Sequence, residues 1–445
     1  MSGRRRHRRA AFSEATAPAE RVTLTIDTLG AQGEGIARRG ADRVFVPLTL
    51  PGEQVTVDIV GRGPGGLKAR LVEVMAAVPD RTEPPCPHYG TCGGCALQHL
   101  APAPHAAWKR DQVITALAQR GLSEVKVEAP IIIPLGRRRR TAFVVERADG
   151  RVIAGYSARA SHRIVDIERC LLLTPTLDLL RGAIRRFAGT WLKEGERWRI
   201  HATESEGGLD VVIAGGRQKS GDLAIAARRQ LAAFADEADL ARLSWQSSET
   251  DPPEPIIVRR MPKLVLGGVA VEPPPGGFLQ PSAEGEAVLG DLAVEGIGKA
   301  KRVADLFAGI GTLSLRLAAV TKVRAIDSDP RLIAARAKAA GAAGFSGRVE
   351  TEVRDLDRRP LAGDELEPFS AVVFDPPRAG ARVQAEALAR AESVERVVAV
   401  SCNPATFARD ARILVDGGFR LLRVVPVDQF TYAAHVEIVG QFRRG

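Results

Sequence analysis

From about Arg21 apolar and polar residues alternate in short runs. VTLTI, RVFVP and EQVTVDIV are separated by GAQGEG, RRGAD and TLPGE turns. Period-two alternation predicts half-buried strands, and several of them so close together predict a small antiparallel barrel over residues 21–78. The pattern then changes. HAAWKRDQVITALAQRG carries apolar residues at Trp108, Val113 and Leu117 and stops at Gly121, the spacing of an amphipathic helix. Residues 128–270 mix the strand-like runs RTAFVVE, VIAGYS, DVVIAG, PIIVRR and KLVLGGVA with two helical stretches near 175–190 and 220–235, an α+β region closed by DPPEP and VEPPPGG. From 300 to 445 strand and helix patterns alternate, beginning RVADLFA, TLSLRLAAV, VRAIDSD, RLIAARAKAAG and ending FRLLRVVPVD, HVEIVGQF. That order predicts a doubly wound, mostly parallel sheet of Rossmann-like α/β type. The fold expected is multidomain.

Composition adds a partner. A chain of 445 residues, 45% hydrophobic and 26% charged, is an ordinary soluble protein too long for one core. Its net charge of +10 suits a polyanion, although an arginine bias also follows from a GC-rich genome. Ten of its 63 basic residues are lysine, so arginine, the better fork for phosphate, dominates. Residues 1–20, opening RRRHRR, read as a disordered basic arm. No apolar run reaches the roughly 18 residues of a membrane span and no signal region is visible, so cytoplasm is expected and a membrane is not.

Chemistry gathers at strand ends of the last region. In DLFAGIGTLSL, Gly309 and Gly311 follow Phe307 between a strand and a helix, where glycine lets backbone approach a ligand closely. The next strand ends in Asp327, a carboxylate suited to ribose hydroxyls. The third glycine of a dinucleotide site is missing. The whole pattern resembles S-adenosylmethionine-dependent methyltransferases. FDPPRAG then holds Asp375 as a rigid, exposed carboxylate, and Arg378 stands where amino-methylating enzymes of this fold carry an aromatic.

The cysteines divide four and one. Cys86, Cys92 and Cys95 lie in CPHYGTCGGC, with Cys170 further on, and four thiols suggest a metal or cluster, zinc remaining open. Cys402 stands alone in VVAVSCNPATFARD, between an apolar strand and a helix whose N-terminus favours thiolate. A soft thiolate suits addition to C6 of a pyrimidine, which prepares C5 for methylation and then needs a base. Glu437, in YAAHVEIVGQF, is the preferred base, and His435 on the same face is its rival.

Taken together LGAQGEGIAR, FVPLTLPGE, CPHYGTCGGCALQHL, FLQPS, DLFAGIGTLSL, FDPPRAG, SCNPATFARD and HVE resemble the RNA uracil-5-methyltransferase family, in its iron–sulfur 23S ribosomal RNA branch. The resemblance implies a TRAM barrel over 21–78, a central iron–sulfur and RNA-binding domain over 79–99 and 128–270, and a methyltransferase domain over 100–127 and 271–445. It implies Cys402 as nucleophile and Glu437 as base, with Gln280, Phe307, Gly309, Gly311, Thr312, Asp327, Asp355 and Asp375 around S-adenosylmethionine. It implies Cys86, Cys92, Cys95 and Cys170 as ligands of a [4Fe–4S] cluster. Ser282 and Thr312 stand where the family often has asparagine. The implied partner is RNA, 23S ribosomal RNA in unassembled or partly assembled form, bound by a monomer. Transfer RNA or cytosine-5 methylation, and an RNA chaperone without catalysis, are the competing readings.

Overall fold

The computed structural model of the chain describes residues 20–215, 219–248 and 251–445. The basic arm expected over 1–20 lies outside the described residues, Glu20 excepted. Two compact units are formed, one by residues up to Pro84 with Ala96–Ala101, the other by Pro85–Cys95 with Pro102–Gly445. Among the described residues no helix is long and apolar enough to cross a membrane.

The first unit contains β1 (Glu20–Thr25), β2 (Thr28–Leu29), β3 (Gly35–Arg39), β4 (Asp42–Val46), β5 (Gln54–Gly63) and β6 (Gly66–Ala76) in a sheet of order β1-β5-β6-β4-β3-β2. Alternate residues Val44, Val46, Val55 and Val57 turn inward and share one core with Ile26, Ala37 and Ala69. The TLPGE turn is fixed by Glu53, which is fully buried and accepts from Leu50 N at 2.8 Å and Arg81 Nε at 2.5 Å. The sheet departs from the expected antiparallel order in one place. β4 and β6 pair in parallel, because β5 runs opposite to both.

The second unit opens with α1 (Pro102–Ala118) and β7 (Ile131–Ile132), and then builds a sheet from β8 (Arg140–Ala148), β9 (Arg151–Ser157), β10 (Ile164–Asp166), β11 (Arg197–Ser205), β12 (Gly208–Ala214), β13 (Leu240–Gln246) and β14 (Glu254–Val258). α2 (Pro175–Trp191) and α3 (Ile225–Glu237) cover one face through Leu177, Leu180, Ile184, Leu231 and Phe234. β11 and β13 were not evident from the sequence. KLVLGGVA is not one strand but a hairpin, β15 (Leu264–Leu266) and β16 (Val269–Val271), turning at Gly267 and Gly268, both with positive φ.

The C-terminal sheet is built from β17 (Arg302–Leu306), β18 (Lys322–Asp327), β19 (Val349–Val353), β20 (Ala371–Phe374), β21 (Arg396–Ser401), β22 (Phe419–Asp428) and β23 (Glu437–Arg444). Its order is β19-β18-β17-β20-β21-β23-β22-β7. The strands from β19 to β21 are parallel, while β23 runs antiparallel to both its neighbours. Helices α4 (Ala283–Ile297), α5 (Ser314–Ala318), α6 (Pro330–Ala342), α7 (Arg382–Ala389) and α8 (Pro404–Asp416) accompany it. α4 was not anticipated, and α5 is shorter than TLSLRLAAV suggests. α1 packs on α8 and β22, sending Val113 and Leu117 into the core beneath this sheet. From β17 the chain winds outward to β19, then returns to β20 on the other side. That reversal leaves a crevice at the carboxyl ends of β17 and β20, the place where open α/β sheets bind ligands.

Candidate active site

A cavity of about 520 Å³ opens at that crevice. Its lining brings together Gln280, Phe307, Gly309, Thr312, Asp327, Asp355, Asp375, Cys402 and Glu437. Gly311, also expected there, does not line it. Its φ of +106° and the Arg336 stem, whose Cδ would lie 2.9 Å from an added Cβ, make it a shaping residue instead.

The loop after β17 turns through left-handed backbone and is fixed by hydrogen bonds. Phe307 has φ +58° and Gly309 φ +52°, both left-handed. Arg336 Nη1 donates to Gly309 O at 2.8 Å and Gly309 N donates to Asp327 Oδ2 at 2.8 Å, clamping the turn from two sides. A Cβ on Gly309 would meet nothing within 4 Å, so open space lies in front of the backbone. Asp327 Oδ1 accepts from Asp329 N at 2.9 Å, yet a carboxylate has further lone pairs for ribose hydroxyls. Asp355, exposed, joins Arg358 at 3.3 Å.

Asp305 is a cavity residue the sequence did not single out. It is fully buried, binds Ser314 Oγ through Oδ2, and leaves Oδ1 without a partner. Burial raises its carboxyl to about 6. An orphaned buried oxygen beside an open glycine turn fits a ligand bearing a positive group, as S-adenosylmethionine does. An acidic residue inside the apolar run VADLFA was the signal available. Phe278 is a second such residue, exposed on the cavity wall with Arg140 Cζ 4.8 Å above its ring.

Cys402 and Glu437 are brought together by strand register. Ser401 of β21 pairs with Ile438 of β23, so the next residues, Cys402 and Glu437, stand opposite one another. β23 is interior to the sheet, which rules out a solvated edge position for the carboxylate, and Glu437 is 5% exposed. Burial raises its pKa well above the usual carboxylate range, and repulsion from Asp375 adds to this. Asp375 is raised in turn by burial and by Asp305. It is half-buried rather than exposed as FDPPRAG suggested, and accepts from Gln280 Nε2 at 3.1 Å.

Cys402 precedes the N-terminus of α8, as expected, and its cavity neighbours act on it as well. Asn403 caps α8 by accepting from Ala405 N at 3.0 Å. Burial, then Glu437 and Asp375, push the Cys402 thiol up, with Arg378 opposing. His435 is outside the cavity lining. Arg378 Nη2 lies 2.7 Å from its Nδ1, and burial followed by that cation lowers the affinity of the imidazole for a proton.

The other four thiols lie away from this cavity, all half-buried. Gly93 N donates to Ser157 O at 3.0 Å and Arg159 Nη2 to Cys95 O at 2.8 Å, tying the Cys92–Cys95 segment to the end of β9. Cys170 N is anchored by Asp178 Oδ1 at 2.8 Å. Cys92 and Cys170 pack on the same small cluster of Ala158, Val165 and Ile167. Among the described residues no group of three or more His, Cys, Asp or Glu side chains closes to a single metal ion. By chemistry alone, four thiols are a donor set that both zinc and an iron–sulfur cluster accept.

A glycine turn, an acid at the next strand end and a switch-point crevice define the S-adenosylmethionine-dependent methyltransferase fold. The tRNA (uracil-54, C5)-methyltransferase of Pyrococcus abyssi, solved with S-adenosyl-L-homocysteine, shares it at TM-score 0.73 and 21% identity, over 95% of this chain and 100% of that one. The family model for tRNA (uracil-5-)-methyltransferases matches residues 272–443. An uncharacterized RNA methyltransferase of Rhizobium meliloti is 42% identical over 95% of this chain and 99% of its own. The 23S rRNA (uracil(1939)-C(5))-methyltransferase RlmD of Chromohalobacter salexigens is 33% identical over 93% and 87%. The chain belongs to the RNA uracil-5-methyltransferase family and is an enzyme of that family.

Proposed function

We propose that the protein methylates C5 of one uridine in 23S ribosomal RNA, unassembled or partly assembled, through a covalent bond from Cys402 to C6 of the base. The juxtaposition of Cys402 and Glu437 in the cavity that holds the glycine turn and Asp327 carries this reading. The likeness to the Chromohalobacter RlmD favours ribosomal over transfer RNA.

S-adenosylmethionine supplies, when bound, a methyl group activated on a sulfonium. Phe307, Gly309, Thr312, Asp327 and Asp355 would hold it, with Gln280 and Asp375 completing the set and Gly311 shaping the turn. Cys402 Sγ, its proton released to water, adds to C6 and makes C5 nucleophilic. After C5 has taken the methyl group, Glu437 removes the C5 proton, the Sγ–C6 bond breaks and the ring double bond re-forms. An ordinary carboxylate is a weak base for that proton. The raised affinity of Glu437 for protons brings it closer to the need.

Fluorine at C5 cannot be removed as a proton, so 5-fluorouridine RNA with S-adenosylmethionine is expected to form an adduct stable on a denaturing gel. No adduct with the native protein, or the same adduct with Cys402→Ala, would refute the mechanism. Mapping 5-methyluridine in RNA from a deletion strain then identifies the position, and a missing transfer-RNA methyl would reassign the substrate.

Cys86, Cys92, Cys95 and Cys170 would hold the [4Fe–4S] cluster in the central part of the chain, with the first unit as a TRAM domain. The methyl transfer has no step that needs the cluster, which leaves it a structural or RNA-positioning role. Anaerobically purified protein is expected to be brown with broad absorbance in the blue, and Cys92→Ser to lose colour together with solubility or RNA affinity. A colourless protein with one equivalent of zinc contradicts the assignment.

A further inference from the structure

Gln429, which no motif marks, follows β22 and is buried. Its Nε2 donates to Gln280 Oε1 at 2.8 Å, and Gln280 Nε2 donates onward to Asp375 Oδ2 at 3.1 Å. Its Oε1 accepts from Ser282 Oγ at 3.5 Å, the hydroxyl that also caps α4 by accepting from Gly285 N at 3.1 Å. Val427 pairs with Glu437 across β22 and β23, so Gln429, two residues beyond Val427, comes on the Glu437 side of the sheet, and its amide has a second N–H to offer that carboxylate. The space around Oε1 depends on a bare backbone. A Cβ on Gly285 would come within 2.3 Å of it.

We propose that Gln429 is the positioning residue of this active site: its single amide, seated by Ser282 against Gly285, orients Gln280 on Asp375 and holds the Glu437 carboxylate opposite Cys402. The proposal rests on the reading of Cys402 as nucleophile and Glu437 as base. It also gives Ser282 a role at the position where relatives often carry asparagine. The short hydroxyl leaves room for the Gln429 amide, which supplies the polar contacts to Gln280.

The charged and titratable groups that face Glu437 are Asp375, Arg378 and Cys402. Among them Gln429 is a neutral donor, and a donor to a carboxylate favours its charged form. Removing that N–H leaves the carboxylate less stable and Glu437 more often protonated. C5 deprotonation then slows while addition and methylation proceed. The rising limb of the pH profile moves to higher pH.

Two variants of the full chain test this. Gln429→Met keeps the length of the side chain without its polar atoms. Gly285→Ala, whose site is outside the cavity lining, pushes from the helix on the same amide and on the Ser282 hydroxyl that seats it. In single turnovers on uridine-containing RNA, both are expected to slow breakdown of the methylated protein–RNA adduct by about tenfold and to shift the rising limb by about one pH unit. RNA affinity should be unchanged. Wild-type breakdown rates and pH limbs in the two folded variants would overturn the proposal. So would a loss confined to RNA or donor affinity. A native protein that forms no adduct overturns the Cys402–Glu437 reading itself, whereas a native adduct with unaltered variants overturns the Gln429 role alone. If Gln429→Met fails to fold, Gly285→Ala decides.

Discussion

Glu437→Gln is expected to leave the enzyme covalently attached to ordinary uridine RNA, methylated and unable to release it. The glutamine keeps the shape of the side chain at the head of β23, so Cys402 can still add to C6 and C5 can still accept the methyl group. In the proposed mechanism what is lost is the group that takes the C5 proton, and turnover should fall by roughly 10²–10⁴. A methyl label should then run with the protein on a denaturing gel without any fluorinated base. Turnover near that of the native protein would remove Glu437 from the mechanism. So would an adduct that carries RNA but no methyl label. The native pH profile offers a second check. A free glutamate ionises near pH ~4.3, and burial together with Asp375 raises Glu437 far above this. The proposed reaction needs the carboxylate, so activity should increase with pH across the neutral range rather than reach its plateau in acid.

Lys109→Ala should have the largest effect on stability. Lys109 of α1 is fully buried, with Nζ bonded to Asp428 and donating to Phe430 O at 3.1 Å. Asp428, the last residue of β22, is 1% exposed and also accepts from Phe430 N at 3.1 Å. Deleting the ammonium leaves a buried carboxylate without its counter-charge, a change that costs about 3–5 kcal/mol. Urea unfolding measures it directly. A loss below about 1 kcal/mol would mean that the pair behaves like a solvated one. Asp428→Asn placed on Lys109→Met should recover part of the loss, because both charges are then gone. Gln429 is the next residue, so Lys109→Ala should also slow catalysis beyond what its unfolded fraction explains.

The sequence was most readable where function and local structure coincide. Gly309 needs a left-handed turn, Asp327 must end a strand, and Cys402 must sit between β21 and α8. Each requirement leaves a local signature of residue types at fixed spacing. Asp305 and Phe278 were legible in principle, one as an acid within an apolar strand, the other as the aromatic of GGFLQPS. Gln429 was not legible at all. Its neighbours Gln280, Ser282 and Gly285 are more than 140 residues away, and nothing in VDQFTYAAHVE separates a structural amide from a solvated one.

The protonation states followed the same division. Cys402 before a helix reads as a favoured thiolate, and Asp375 before two prolines reads as an exposed carboxylate. In the fold both lie in one poorly solvated cavity with Asp305 and Glu437, and desolvation with carboxylate repulsion pushes the Cys402 thiol and the Asp375 carboxyl up. Likewise HVE showed only that His435 and Glu437 alternate with Val436 and Ile438. That β23 inserts between β21 and β22, facing Glu437 toward Cys402 and denying it solvent, is a matter of strand order. By itself the sequence determined most of the elements, though not β11, β13 or α4, and with them the ligand turn, the family resemblance and the residues capable of chemistry, because these depend on short-range backbone and side-chain preferences. The tertiary structure alone decided which of them meet and how strongly each holds its proton, because register, burial and neighbouring charge arise only when distant segments pack.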